Sequence, residues 1–341
     1  MKVTETHPRI LVVGPSWVGD MVMAQSLFLR LKQRYPDSRI SVLAPAWTLP
    51  LLACMPEVAQ GMAMPLGHGQ FGFAKRRRLG LELRGSFDWA IVLPNSWKSA
   101  LTPFFAQIPR RTGHLGELRW GLLNDARRLD KTLLPRTVQR FVALGLEKDA
   151  ALPPDCPPPR LFVADQQVAA ALAKFGLAGP AKVLALCPGA EYGPAKRWPS
   201  DHFAVLARAK LAAGWQVWLF GSDKDQAAAE AIVQAAPGCI NFAARTCLAE
   251  AVALLSLADA VVSNDSGLMH VAAALDKPLV ALYGSSDPGF TPPLSDKARI
   301  VRLGLDCSPC FKRACPYGHT HCLTQIEPAR VLTELDYLLK R

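Results

Sequence analysis

Short apolar runs recur along the chain, each closed by a polar or glycine-bearing turn and followed by a stretch of helical period. Arg9 to Val13 is the first such run; it enters Gly14-Pro15-Ser16-Trp17-Val18-Gly19-Asp20. A helix pattern over Met21–Arg34 follows, stopped by Tyr35-Pro36-Asp37, and a second strand lies at Ser41–Leu43. Phe87–Leu93 reads as another strand, ending at Pro94-Asn95-Ser96-Trp97-Lys98. The second half repeats the scheme. Its strands are Lys182–Cys187, Gln216–Phe220, Ala260–Val262 and Leu279–Tyr283. Its helices are 201–213, Asp225–Ala235, Leu248–Leu257 and Leu268–Leu275. Runs of this length with interposed helices predict parallel α/β sheets. An amphipathic pattern, Glu327–Arg341, closes the chain.

The length of 341 residues suits two domains of ordinary size. The proline-rich segment Leu152–Pro159 marks the approach to the boundary, and Ala164–Phe175 reads as a connecting helix. The expected division is 1–163 and 164–325, with 326–341 a terminal helix. No apolar run has the length of a membrane span. Met1–Ile10 has no signal-peptide pattern, so the expected setting is cytoplasmic.

In such sheets ligands sit at the carboxyl ends of strands. The polar turns at 14–20, 188–199, 221–225 and 263–267 are therefore the places to look. Ser263-Asn264-Asp265-Ser266-Gly267 opens the helix pattern Leu268–Leu275, and helix N–H groups suit a phosphate. Asp265 and Ser266 are also ordinary N-cap residues. His270 lies four positions past Ser266, on the same helix face. Lys196 and Arg197 are expected to approach this helix mouth and add cations for a pyrophosphate. The first turn is neither of two familiar phosphate loops. It lacks G-x-G-x-x-G, and Asp20-Met21 stand where a P-loop needs Lys and Ser/Thr. Asp20 reads either as a helix cap favoured by the dipole or as a carboxylate general base at the strand's carboxyl end.

The net charge of +11 is uneven: residues 1–170 hold 22 Lys and Arg against 13 Asp and Glu. The excess suits nucleic acid, an anionic membrane surface or an acidic substrate. Its members include Lys75 to Arg78, Arg110-Arg111, Arg119-Trp120, Arg127-Arg128, Arg136 and Arg140, either solvated faces or the lining of an anion site. The basic runs follow no stripe with interleaved aromatics, which argues against a nucleic-acid module. Nine cysteines do not make a disulfide framework in the expected setting. Cys307, Cys310, Cys315 and Cys322 have the spacing C-x2-C-x4-C-x6-C, open to reduced packed thiols, oxidative pairing or a structural metal.

VVGPSWVGDMVMAQSL from Val12, PGAEYGPAKRWP from Pro188, SNDSGLMHVAAAL from Ser263 and ALYGSSDPGFTPP from Ala281, in that order, resemble the ADP-heptose:lipopolysaccharide heptosyltransferases. CSPCFKRACPYGHTHCL from Cys307 looks like the type II branch of that family. The resemblance spans essentially the whole chain. It implies a GT-B architecture of two Rossmann-like domains facing across a cleft, with the final helix packing back on the first domain. It implies inverting, metal-independent transfer of L-glycero-D-manno-heptose from ADP-heptose to the first heptose of the inner core on Kdo-lipid A. It also implies work at the anionic inner face of the inner membrane, with no cofactor and no nucleic-acid partner. On the matching positions Asp20 is the expected base. Lys196, Thr246, Asp265, Ser266, Gly267 and His270 are expected around the donor, with Asp223 or Asp225 along the nucleotide. Trp97, Lys98, Arg119 and Trp120 are expected around the acceptor. The alternatives are a type I heptosyltransferase or a GT-B epimerase.

Overall fold

A computed structural model describes residues 7–67, 70–177 and 182–340. Residues 1–6, on which the signal-peptide expectation partly rests, the loop positions His68 and Gly69, residues 178–181 and Arg341 lie outside them. The chain divides into two compact units, Met1–Pro159 and Arg160–Arg341.

The first unit holds β1 (Arg9–Val13), β2 (Arg39–Ala44), β3 (Val58–Ala63), β4 (Trp89–Val92), β5 (Arg110–His114) and β6 (Asp125–Arg127), all parallel, in the order β3-β2-β1-β4-β5-β6. β4, and β1 after its exposed first residue Arg9, are apolar and buried because helices cover a parallel sheet on both faces. The order reverses direction between β1 and β4, whose ends Val13 and Val92 are paired. That reversal opens a crevice at the carboxyl ends of these two strands. The helix Val18–Arg34 starts there. Gly14 lets it approach: a Cβ at that position would lie 2.7 Å from the Met21 Cε.

The second unit holds β7 (Val183–Cys187), β8 (Gln216–Leu219), β9 (Ile240–Asn241), β10 (Ala260–Asn264), β11 (Leu279–Leu282) and β12 (Ala298–Val301), also all parallel. The order β12-β11-β10-β7-β8-β9 is the same winding, with its reversal between β7 and β10. Its core joins Leu184, Leu186, Val262 and Val280 to Phe203, Leu206 and Ile232 of the flanking helices.

Two expectations change. The second unit begins earlier than residue 164, because the Leu161 N–H donates to the Ala274 carbonyl and Leu161 is buried. The last helix, Pro328–Leu339, buries Val331, Leu335 and Leu338 in the second unit's own core. Its apolar stripe is covered there, where the expectation had it on the first domain.

Candidate functional site

In the second unit the turns after β7 and β10 meet at the strand-order reversal. Asp265 follows β10 directly and is buried. Its Oδ2 accepts the Lys196 ammonium at 2.5 Å and the Ser286 hydroxyl at 2.5 Å. Asp265 is therefore not the helix cap. Ser266 occupies the N-cap position of the helix Gly267–Ala274, yet its hydroxyl makes no capping bond and stands 3.3 Å from the Ser263 hydroxyl. A buried carboxylate, a lysine that is only 17% exposed and a helix mouth thus share one end of the sheet. Lys196 and the helix N–H groups favour an anion, and Asp265 holds Lys196 in place.

The Lys196 loop is held by residues that the sequence reading passed over. Asn264 is fully buried at the end of β10. Its amide donates to the Pro188 carbonyl at 2.7 Å, and its Oδ1 accepts the Trp198 N–H at 3.1 Å. One side chain therefore ties both ends of the loop to the strand that carries Asp265. The detectable signal is an asparagine closing an otherwise apolar buried strand. The Arg197 guanidinium donates to Asp225 at 3.0 Å. Asp225 also accepts the Ser222 N–H and hydroxyl at 3.0 and 2.8 Å. Arg197 and Asp225 thus act as loop fasteners, a correction to their expected places beside the pyrophosphate and nucleotide. Asp223 is exposed. Thr246 lies beyond β9, two strands from β7, with its hydroxyl donated to the Phe242 carbonyl at 3.2 Å.

The cysteine-rich segment braces the same loops. The Ser308 hydroxyl donates to the Gly284 carbonyl at 2.5 Å, and the Phe311 N–H to the Ser285 carbonyl at 2.7 Å. On the other side the Tyr192 hydroxyl donates to the Phe311 carbonyl at 2.7 Å, and the Ala195 N–H to the Arg313 carbonyl at 3.0 Å. All nine cysteines are free thiols. Backbone N–H groups of residues 317–320, led by Thr320, hold the Cys315 thiol below its ordinary pKa. Burial first, then the neighbouring Cys307, Cys310 and Cys315, push the Cys322 thiol up. Among the described residues no group of three or more His, Cys, Asp or Glu could hold a metal ion.

His270 sits in the first turns of the helix Gly267–Ala274, and burial pulls its pKa down to about 4. Asp265 pulls the other way and Lys196 adds to the lowering. At neutral pH it is a neutral imidazole. Above pH 6.5, its ordinary pKa, neither the folded nor the unfolded chain protonates it, so the histidine adds no pH dependence. Below that, the unfolded chain takes up a proton that the folded chain refuses until about pH 4. Stability is lost across this window, by about 3 kcal/mol at its acid end. We expect His270→Gln to flatten the acid limb of a urea-unfolding series from pH 7 to 4. An equal loss in variant and parent would assign that limb to other groups.

In the first unit Asp20 lies in the first turn of the helix Val18–Arg34, at the carboxyl end of β1. Trp17 holds the N-cap position, so Asp20 is not the cap, although its place in the first turn still suits a negative charge. Trp97 and Lys98 begin the short turn after β4, on the other side of the strand-order reversal. The backbone N–H of Trp97 donates to Glu117 at 2.8 Å. Trp120 is 65% exposed, in the connection between β5 and β6.

Arg119 corrects an expectation: it is fully buried. Its guanidinium donates to the Pro94 carbonyl at 2.7 Å and to the His114 carbonyl, and burial lowers its pKa to about 10. It clamps the ends of β4 and β5, and its donors are turned inward, away from an acceptor. Much of the arginine excess behaves alike. Arg110 stacks on Trp89 and pairs with Asp125; Arg111 donates to the Leu122 and Ile108 carbonyls; Arg127 donates to Asp125 and the Ala143 and Leu146 carbonyls. These guanidiniums are tied to internal partners rather than lying on a solvated face.

The model of glycosyltransferase family 9 (heptosyltransferase) matches residues 76–321. The lipopolysaccharide heptosyltransferase 2 of Salmonella typhimurium is 52% identical over 97% of this chain and 98% of its own length. That of Escherichia coli is 50% identical with the same coverage. The solved structure of the E. coli ADP-heptose lipopolysaccharide heptosyltransferase II superposes with a TM-score of 0.87 at 48% identity, covering 97% of this chain and 98% of that one. Two Rossmann-like α/β domains in one chain agree with the GT-B architecture of such transferases. The chain belongs to glycosyltransferase family 9, the heptosyltransferases.

Proposed function

We propose that the chain moves L-glycero-D-manno-heptose from ADP-heptose onto the first heptose of the lipopolysaccharide inner core, inverting the anomeric centre. Near-full-length identity to the heptosyltransferase 2 relatives carries this reading. The acceptor hydroxyl oxygen attacks the anomeric carbon as the bond from that carbon to the diphosphate oxygen breaks. Asp20 takes the hydroxyl proton, and ADP leaves with the bonding electron pair. The Lys196 ammonium and the N–H groups at Gly267 stabilise the negative charge that grows on the departing diphosphate. In this proposal the lysine supplies that charge stabilisation in place of a catalytic metal or cofactor. Asp265 positions Lys196. Ser266, His270 and Thr246 lie along the donor side, the last nearest the nucleotide.

On the acceptor side Trp97, Lys98 and Trp120 offer two rings and a cation to a sugar carrying Kdo carboxylates, with Arg119 holding their loops in place. An acceptor anchored in lipid puts this work at the anionic cytoplasmic face of the inner membrane. No described helix is long and apolar enough to cross a membrane. Purified chain given ADP-heptose and Kdo-lipid A cores carrying either no heptose or one decides the reading. Transfer to the one-heptose core alone is the expected result. Transfer only to the heptose-free core would assign the type I reaction, and no transfer to either would sink the proposal.

A further inference from the structure

The arginines that clamp β4 to β6 are turned inward, so the exposed positive charge of the first unit lies elsewhere. We propose that Phe71, Phe73 and the exposed cations of the helix Phe73–Glu82 form the surface that docks the chain on an anionic lipid bilayer. The proposal rests on the reading above that the acceptor is lipid-anchored, and it assigns the contact to particular residues.

Phe71 and Phe73 are 50% and 43% exposed, large for neighbouring aromatic rings. They stack on each other with centroids 6.1 Å apart, and Phe71 stacks on Trp97 at 5.8 Å. Phe73 meets Phe105 edge-on at 5.5 Å. The rings therefore form a continuous cluster with one side open. The backbone beneath it is fixed. Arg76 is buried and its Nε donates to the Phe71 carbonyl at 2.8 Å. Gly72 has φ of 52°, and a Cβ there would lie 2.3 Å from the Leu66 Cδ2. The rings are thus held outward by a specific turn.

Beside them Lys75, Arg77 and Arg78 are exposed, and Glu82 is the one acidic residue between Phe71 and Arg84. Glu82 pairs with Arg78 at 2.9 Å. Among the described residues no ion pair engages Lys75 or Arg77. Phenylalanine rings on an interfacial face bury at the boundary between headgroups and acyl chains, and clustered cations are drawn to anionic lipid. A ring cluster alone would fit many protein partners; the adjoining uncompensated cations select an anionic surface.

The test is sedimentation of the full chain with phosphatidylcholine vesicles, with and without added phosphatidylglycerol, at low and high salt. We expect binding to the anionic vesicles, weakened by salt. The pair Lys75→Gln and Arg77→Gln should weaken it about thirtyfold, from about fivefold for each of the two lost charges. Phe71→Ser with Phe73→Ser should weaken it about tenfold and lessen the residual binding at high salt. All four positions are open to solvent, and unchanged thermal midpoints verify the folds. Equal binding to both vesicle types, or variants that bind like the parent, overturn the proposal. Tight binding to plain RNA with none to vesicles overturns it in favour of a nucleic-acid surface. Transfer to a deacylated, soluble one-heptose core separates the two readings. The Lys75/Arg77 variant should keep it, whereas its absence in the parent would count against the activity and leave the vesicle result standing.

Discussion

Asp20→Asn lowers the turnover of heptose transfer by about 10²- to 10⁴-fold while the affinity for ADP-heptose stays within about twofold of the parent. The size follows from what a general base contributes when it takes a proton in the transition state. The selectivity follows from position: Asp20 belongs to the first unit, at the end of β1, whereas the Lys196–Asp265 pair belongs to the second. Asparagine keeps the shape and much of the hydrogen bonding and removes only the ability to accept the proton. The helix loses one favourable charge in its first turn, about 0.3–1 kcal/mol, too little to unfold the domain. Single-turnover rates, donor titration calorimetry and a thermal melt on the same preparation separate these effects. A variant that keeps a tenth or more of the parent's turnover would remove Asp20 as the base, as would a turnover loss accompanied by an equal loss of donor affinity.

The parts of this fold that could be read from the sequence were those in which one force dominates. β4, β7 and β11, and β1 and β10 apart from Arg9 at the start of one and Ser263-Asn264 at the end of the other, are apolar and buried, so hydrophobic runs mark them. β3, β5 and β6 carry no such mark. β3 is an edge strand with mostly exposed side chains. β5 begins with Arg110-Arg111, which sit in a sheet because Trp89, Asp125 and nearby carbonyls satisfy them. Those partners are distant in sequence, and a pattern of apolar and polar letters therefore reports a basic loop. The same limit applies at the site. Lys196 and Asp265 could be named because their turns close strands. Which lysine or arginine would meet which carboxylate depended on the fold: Lys196 took Asp265, and Arg197 took Asp225. Asn264 and Ser286 act on the site through those neighbours, and each alone is an unremarked polar residue beside a strand end.

Lys196→Ala weakens ADP-heptose binding by about 10- to 100-fold, as expected for losing a charge-assisted contact to a diphosphate worth about 1.5–3 kcal/mol. It also leaves Asp265 buried with, among the described residues, the Ser286 hydroxyl as its remaining side-chain partner, which costs stability of about 3–5 kcal/mol. The two effects have different owners, and a second substitution separates them. In Lys196→Ala with Asp265→Asn the buried site is neutral again, so most of the lost stability returns. Donor affinity does not return, because the cation that would face the diphosphate is still missing. Asp265→Asn alone frees the ammonium from its partner, so it should reduce affinity less than Lys196→Ala does, through looser positioning. A double-mutant cycle in urea midpoints and in donor affinity reads both couplings. Recovery of affinity along with stability in the double variant would make Lys196 a structural partner of Asp265 alone. Recovery of stability without affinity places the lysine on the donor and the aspartate behind it.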